Sequence, residues 1–447
     1  MQTEREKSFN HKKFLVIMIA LIVTLLIDTS VVKVNDLIDK YFIPIQSKLI
    51  LFSVNSLFCL LLQFFIINYI QRSFKRDRLI KTLNVKAFYI ISLTLICVLG
   101  TLIGFLIFQL FYHNYYDTSI CIFIITISYG IATIFIIWLS LLFFSWYKSN
   151  HNLIVFLYFM SMVVIAFNLI TTAAFTSVKL TDRPDRIGEY IGSSGDTSGG
   201  RHLFLDNTYR ISSFMSFFSI WITTAILMNN YREKPTRTIV YWILLSIPLV
   251  YFLITYFYQY ILGNILISYL EIDPITVSII LGAFLALSKP IGGLVFGIAF
   301  WKISRIISYE RTVRTYMIIS GFGIFLIFVA NQATTQIVIP YPPFGLSSIT
   351  VLNIAAFFMF LGIYNSSTLV ATNHDLRKLI RKHALESRLL DLIGQAEMDT
   401  EIRKTVKEIT QSKDILEIGK KAEFELDERE LEKYIDYVIK ETKKEHK

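Results

Sequence analysis

Ten stretches of the chain are almost purely apolar and almost free of charge. They cover residues 14–32, 49–70, 87–112, 118–147, 153–177, 211–229, 238–261, 276–301, 315–337 and 347–371, with charged residues crowded between them. About 20 helical residues cross a hydrocarbon core of about 30 Å. In lipid the backbone must satisfy its own hydrogen bonds, so such runs are expected as helices. The pattern predicts an all-α, polytopic membrane bundle of ten transmembrane helices. A buried soluble core is the competing account, and no soluble domain needs ten such runs.

The pattern changes after residue 371. Leu385, Leu389, Leu392 and Ala396 recur at helical spacing, followed by Ile402, Val406 and Ile409. This predicts an amphipathic helix, short of the three to four clean heptads of a coiled coil. The expected organisation is a transmembrane domain over 1–371 and a cytoplasmic helical tail over 372–447. The tail opens with Arg377, Lys378, Arg381, Lys382 and Arg388, a juxtamembrane basic stretch.

Charge orients the spans. Only 17% of residues are charged, against about 25% in soluble proteins. With a cytoplasmic N-terminus, the inner loops before the tail hold eighteen Lys or Arg and the outer loops hold eight. Cytoplasmic loops carry the Lys/Arg excess, so both ends are expected inside. Arg72, Lys75, Arg76, Arg78, Lys81 and Lys86 make the strongest anchor. The net charge of +10 lies mainly in short loops beside spans, where it faces lipid headgroups rather than nucleic acid. The first apolar run is too long for a signal-peptide core and lacks a small-residue cleavage site, so it is expected as an uncleaved helix. Tyr112, Tyr115 and Tyr116, and Tyr256, Phe257, Tyr258 and Tyr260, gather at outer span ends as interfacial aromatics do.

Two formal charges fall within the ten spans, Asp28 and Lys289. Ionisable residues inside a membrane are functional candidates by default. Asp28 lies near the outer end of its span, where a carboxylate can also reach water. Lys289 lies mid-span, followed by Pro290, Gly292 and Gly293. Pro290 is expected to kink this helix, and Gly282, Gly292, Gly293 and Gly297 to form a close-packing face. Asp28 is the one intramembrane carboxylate available as a partner. The competing account is a structural lysine held by carbonyls freed at the proline. Polar residues also gather toward the outer half: Asn168, Thr171, Thr172, Asn331, Gln332, Gln336 and Asn353. They either line a cavity or bond helices together, at about 0.6 kcal/mol per bond in measured cases.

No HExxH, phosphate-binding loop, GxSxG or metal-ligand cluster occurs, so no enzyme activity, cofactor or metal is expected. Cys59, Cys97 and Cys121 all lie in apolar runs with no paired spacing. His383 follows the last span as in sensor kinases, but its next neighbour is Ala384 and no nucleotide-binding segment follows. The outer loop 178–210 is long, with a flexible Gly/Ser centre at 193–200. Residues 339–345 contain three prolines and are expected as a stiff aromatic cap between the ninth and tenth helices.

The run Ile339, Pro340, Tyr341, Pro342, Pro343, Phe344 and Gly345, the end of the tenth span at Gly362, Ile363, Tyr364, Asn365 and Ser366, and the following Asp375, Leu376, Arg377, Ile380, Arg381 and 389–394 carry a resemblance. The chain resembles uncharacterised multi-span membrane proteins of ammonia-oxidising archaea (Nitrososphaeria) over its last quarter and its general span layout. The resemblance implies an archaeal plasma membrane and assigns no catalytic residue.

Two functions are expected from the residues. The first is a membrane sensor or scaffold acting through the tail, which pairs with another tail, a cytoplasmic partner or the lipid bilayer. The second is a transporter of a small solute or ion with a midplane site at Lys289, since broken helices at the midplane mark transporter sites. A membrane enzyme ranks last. Topology is testable by cysteine labelling on whole cells. A cysteine at Ser198 should react with an impermeant reagent, and one at Lys75 should not; the reverse pattern contradicts the orientation.

Overall fold

A computed structural model describes residues 11–40, 45–74, 85–113, 115–181, 201–229, 235–257, 274–307, 310–332, 342–382 and 388–417. Among these residues the structure is entirely helical apart from short connections. The helices are α1 (His11–Lys40), α2 (Ile45–Phe74), α3 (Val85–His113), α4 (Thr118–Asn150), α5 (Leu153–Thr181), α6 (Arg201–Asn229), α7 (Pro235–Phe257), α8 (Pro274–Ile306), α9 (Arg311–Gln332), α10 (Leu346–Thr372), α11 (His374–Lys382) and α12 (Arg388–Glu417). Seven of them, α2–α6, α9 and α10, are long and apolar enough to span a membrane. The chain is therefore an all-α, multi-pass protein. The predicted runs 14–32, 238–261 and 276–301 fall on α1, α7 and α8, parts of which lie outside the described side chains. Residues 182–200 of the long loop, Gln336, 339–341, Tyr258, Tyr260, His383, Leu385 and 418–447 also lie outside the description.

Sequence neighbours pack on each other, and α10 sits at the centre. α10 is buried from Leu346 to Ile363, lying against α9 and α4 and touching α1, α2 and α3. α5, α6 and α8 complete the interior, and α7 leans on α8. α3 is peripheral: it packs on α2 and touches α4 and α10 lightly. The outer faces present Val16, Val54, Leu57, Ile134 and Leu141, apolar side chains suited to lipid.

Small residues set how closely the central helices approach. A Cβ on Gly362 of α10 would collide with the Ser320 side chain and the Tyr316 carbonyl of α9. A Cβ on Gly323 of α9 would meet the Met359 and Ala355 backbone of α10. Gly297 of α8 and Gly321 of α9 face each other in the same way. Close backbone approach of this kind stands in for the hydrophobic driving force that lipid removes between membrane helices.

α8 passes through Pro290 as one continuous helix, so it is not the broken helix that transport through Lys289 called for. Of the proline-rich segment, Pro342, Pro343, Phe344 and Gly345 are described, and all four are buried. Phe344 packs edge-on to Phe52 of α2, with ring centroids 5.6 Å apart.

The glycine contacts give a paired test. Gly362→Ala should destabilise the protein by about 1–3 kcal/mol through overpacking. Gly104→Ala on α3, which has nothing within 4 Å, should be neutral or mildly stabilising by helix propensity. Unfolding midpoints in one detergent check both; equal midpoints would contradict the close α9–α10 approach.

Candidate functional site

A helix begins with backbone N–H groups that have no partner inside the helix. Helices that start near a surface cap themselves locally. Asp117 accepts from the Ser119 N–H at the start of α4, and Asn152 accepts from the Ile154 N–H at the start of α5. α10 starts inside the bundle, with residues 342–350 all buried. Its Ser347 hydroxyl shares a 2.6 Å hydrogen bond with Ser56, which lies about 16 Å along α2 from Ile45 at 1.5 Å per residue. The residue before α10, Gly345, has φ 91° and no side chain to cap with.

The cap comes from α1. The Ser348 backbone N–H donates to Asp28 Oδ2 at 3.1 Å, and the Ser348 hydroxyl donates to the same oxygen at 2.7 Å. Asp28 is 1% exposed. A carboxylate at this point complements the positive end of the helix dipole. The Gly345 backbone and the Asn55 side chain also approach it, yet Oδ1 accepts no hydrogen bond. Asp28 is thus neither at a water interface nor the partner of Lys289. It caps a helix start inside the bundle. Below it, polar groups join α2 to α10. Gln63 donates to Thr350 Oγ1 at 2.9 Å, and the Cys59 thiol and the Thr350 hydroxyl both point at the Ser347 carbonyl.

Lys289 belongs to a second cluster. It is buried, its Nζ donates to the Tyr209 hydroxyl at 3.3 Å, and it sits 5.4 Å from the centre of the same ring. Tyr209 in turn stacks flat on Phe175, 4.7 Å away. A cation over an aromatic face is attracted by the ring's quadrupole. Beside it Pro290 is buried, and Gly292 and Gly293 are closed over by Phe217 and Phe328.

One turn along α6, Ser212 binds α5. The Asn168 amide donates to Ser212 at 3.1 Å, and Thr171 and Ser212 share a 2.7 Å bond. Asn331 of α9 donates to Asn168 Oδ1 at 2.8 Å and accepts from the Tyr129 hydroxyl of α4 at 3.1 Å. Thr172 bonds the Asn168 carbonyl on its own helix. Asn168, Thr171 and Asn331 therefore bond helices together. Gln332 is fully buried next in sequence. Lys289 and Asn331 reach adjacent turns of α6, through Tyr209 and through the Asn168–Ser212 link, while Asp28 works elsewhere, between α1 and α10.

Sequence reasoning missed Tyr209, Ser212 and Tyr129. Tyr209 lies just before the predicted span, but Tyr209, Ser212, Ser213 and Ser216 share one helical face, a legible polar stripe. Among the described residues, no three His, Cys, Asp or Glu side chains gather as metal ligands would. Comparison with known protein families, curated proteins and solved structures finds no match for this chain.

Gly345 offers the sharpest single test of the α10 cap. Its φ of 91° lies in the left-handed region, where a Cβ costs about 1–2 kcal/mol. Gly345→Ala should lower the detergent unfolding midpoint by that amount, and an unchanged midpoint would contradict the geometry.

Proposed function

We propose that this chain is a multi-pass cell-membrane sensor or scaffold that crosses the bilayer ten times, keeps both ends in the cytoplasm and acts through its tail helix. The observation that carries the reading is the tail itself. α12 folds back beneath the bundle and packs on the ends of α10, α4 and α5. Leu389, Leu390, Ile393 and Ala396 are fully buried there. Gly394 lies against Val370 of α10 so closely that a Cβ would clash with it. The Trp146 indole of α4 donates to Glu397 Oε2 at 2.6 Å. Beyond this point Ile402 and Val406 of the stripe are half-buried. That remainder suits a second tail or a cytoplasmic partner.

α10 links this surface to the opposite side. Its first turn is held by Asp28, and its last turns hold α12. A cue that shifts the capped end can bias the docked end along a helix about 40 Å long, at 1.5 Å per residue. The Lys/Arg distribution supports a cytoplasmic tail. The tight aromatic packing over Gly292 and Gly293 supports this reading over transport through Lys289.

Hydrogen exchange on α12 tests the coupling. Gly345→Ala, at the far end of α10, should speed exchange of amides 389–400; exchange identical to wild type would contradict it. Docking should also depend on pH. Burial pushes the Glu397 carboxyl above its ordinary range; the Trp146 bond opposes this, and Glu401 adds to it. The protonated form is therefore favoured when α12 is docked. Its contribution is complete below the ordinary carboxylate range and is lost as pH rises through the raised value. Exchange of α12 should quicken over that rise, and Glu397→Gln should flatten the dependence.

A further inference from the structure

We propose that the cleft where α3 meets α4 and α10 is a binding site for the hydroxyl group of a neutral, membrane-resident amphiphile, recognised by Asn353. The pocket is partly open and is lined by Gln63 of α2, Ser92 and Leu99 of α3, Phe135 of α4, and Thr350 and Asn353 of α10. Four of its lining side chains, Gln63, Ser92, Thr350 and Asn353, are polar, and the other five are aliphatic or aromatic.

Asn353 is 5% exposed, yet neither its amide nitrogen nor its amide oxygen has a hydrogen-bond partner. A buried amide left in that state is costly, and each such group calls for an explanation. Its neighbours are already engaged. Gln63 donates to Thr350, and Thr350 donates to the Ser347 carbonyl. They do not complete Asn353, which leaves its amide open to a partner entering the cleft.

The pocket's chemistry selects that partner. An amide presents one donor side and one acceptor side, and a hydroxyl both accepts and donates. Space is available for about one water-sized group, which fits a hydroxyl and excludes a bulky head. No charged side chain lines the pocket, so a carboxylate or phosphate would enter unpaired. The aliphatic remainder and the light contact of α3 with α4 leave room for a chain to lie along the cleft among exposed apolar side chains. Water offers the same hydroxyl chemistry, and the experiment separates the two.

The site also gives the sensor reading a ligand class, because Asn353 stands two turns along α10 from its Asp28-capped start. It does not depend on that reading, since the test below reads binding and the exchange measurement above reads coupling.

The test uses the full chain, reconstituted in phosphatidylcholine vesicles, and a diazirine-bearing hexadecanol as photolabel. Peptide mapping should place label on residues 90–99 and 350–357 above the other lipid-facing helices. Unlabelled 1-hexadecanol should compete, and hexadecane should not. Asn353→Leu removes the amide but keeps the volume, so folding should persist while site labelling falls about tenfold, as expected for losing a buried hydrogen-bonded contact. Ser92→Leu, which fills the pocket from α3 and leaves Asn353 intact, should reduce labelling as well. Three results would overturn the proposal: equal labelling in folded Asn353→Leu, equal competition by hexadecane, or no enrichment at these residues, in which case the pocket holds water alone.

Discussion

A backbone N–H that loses water must find another partner, and the start of α10 shows how strongly that constraint shapes this molecule. Its first turn begins deep beside α2, where solvent cannot complete it. Gly345 has no side chain to offer. The answer is a carboxylate brought from α1, with two Ser348 donors on one oxygen. An unpaired Asp28 would be among the costliest groups in the bundle, and an uncapped α10 would leave its own N–H groups bare. Each group resolves the other. The surrounding polar residues, Ser56, Cys59, Gln63, Ser347 and Thr350, extend the same solution along the α2–α10 contact.

The central position of α10 follows from this start and from small residues. Gly362 and Gly323 let α9 and α10 approach to backbone contact, and Gly297 and Gly321 bring α8 onto α9. Polar bonds then tie the outer helices to this core. Asn331 bridges Tyr129 of α4 and Asn168 of α5, and Asn168 reaches Ser212 of α6. Lys289 is absorbed into the same interior by the Tyr209 ring and hydroxyl. At the far end of α10, Val370 receives Gly394 of the tail helix. One buried helix thus meets the Asp28 cap, an unpartnered amide at Asn353 and a docked tail.

Much of the architecture was legible in the residues, because lipid imposes a long, charge-free pattern that few other environments demand. The described part of each apolar run is helical, and seven of the helices are long and apolar enough to span a membrane. Asp28 and Lys289 were also legible as unusual, since charge inside an apolar run is rare. Their partners were not. Ser348 lies 320 residues from Asp28, and no local spacing encodes that meeting. The prolines before Gly345 marked a stiff segment, but not that Pro342 to Gly345 would be buried. Pro290 suggested a broken helix because proline removes a donor, yet α8 continues through it. In the tail, Leu389 and Ala396 of the expected stripe are buried and Leu392 half-buried, while Leu390 and Ile393 complete the buried face. What that face would meet, the ends of α4, α5 and α10, depended on how the chain folds back.

The central claim is that Asp28 and Ser348 stabilise the molecule as a pair, and a double-mutant cycle measures it most directly. Unfolding free energies in one detergent are required for wild type, Asp28→Asn, Ser348→Ala and the double variant. A capping pair predicts a coupling energy of about 1–3 kcal/mol, with the double variant less destabilised than the sum of the singles. Additive effects, with coupling indistinguishable from zero, would contradict the cap and the account of α10 that rests on it.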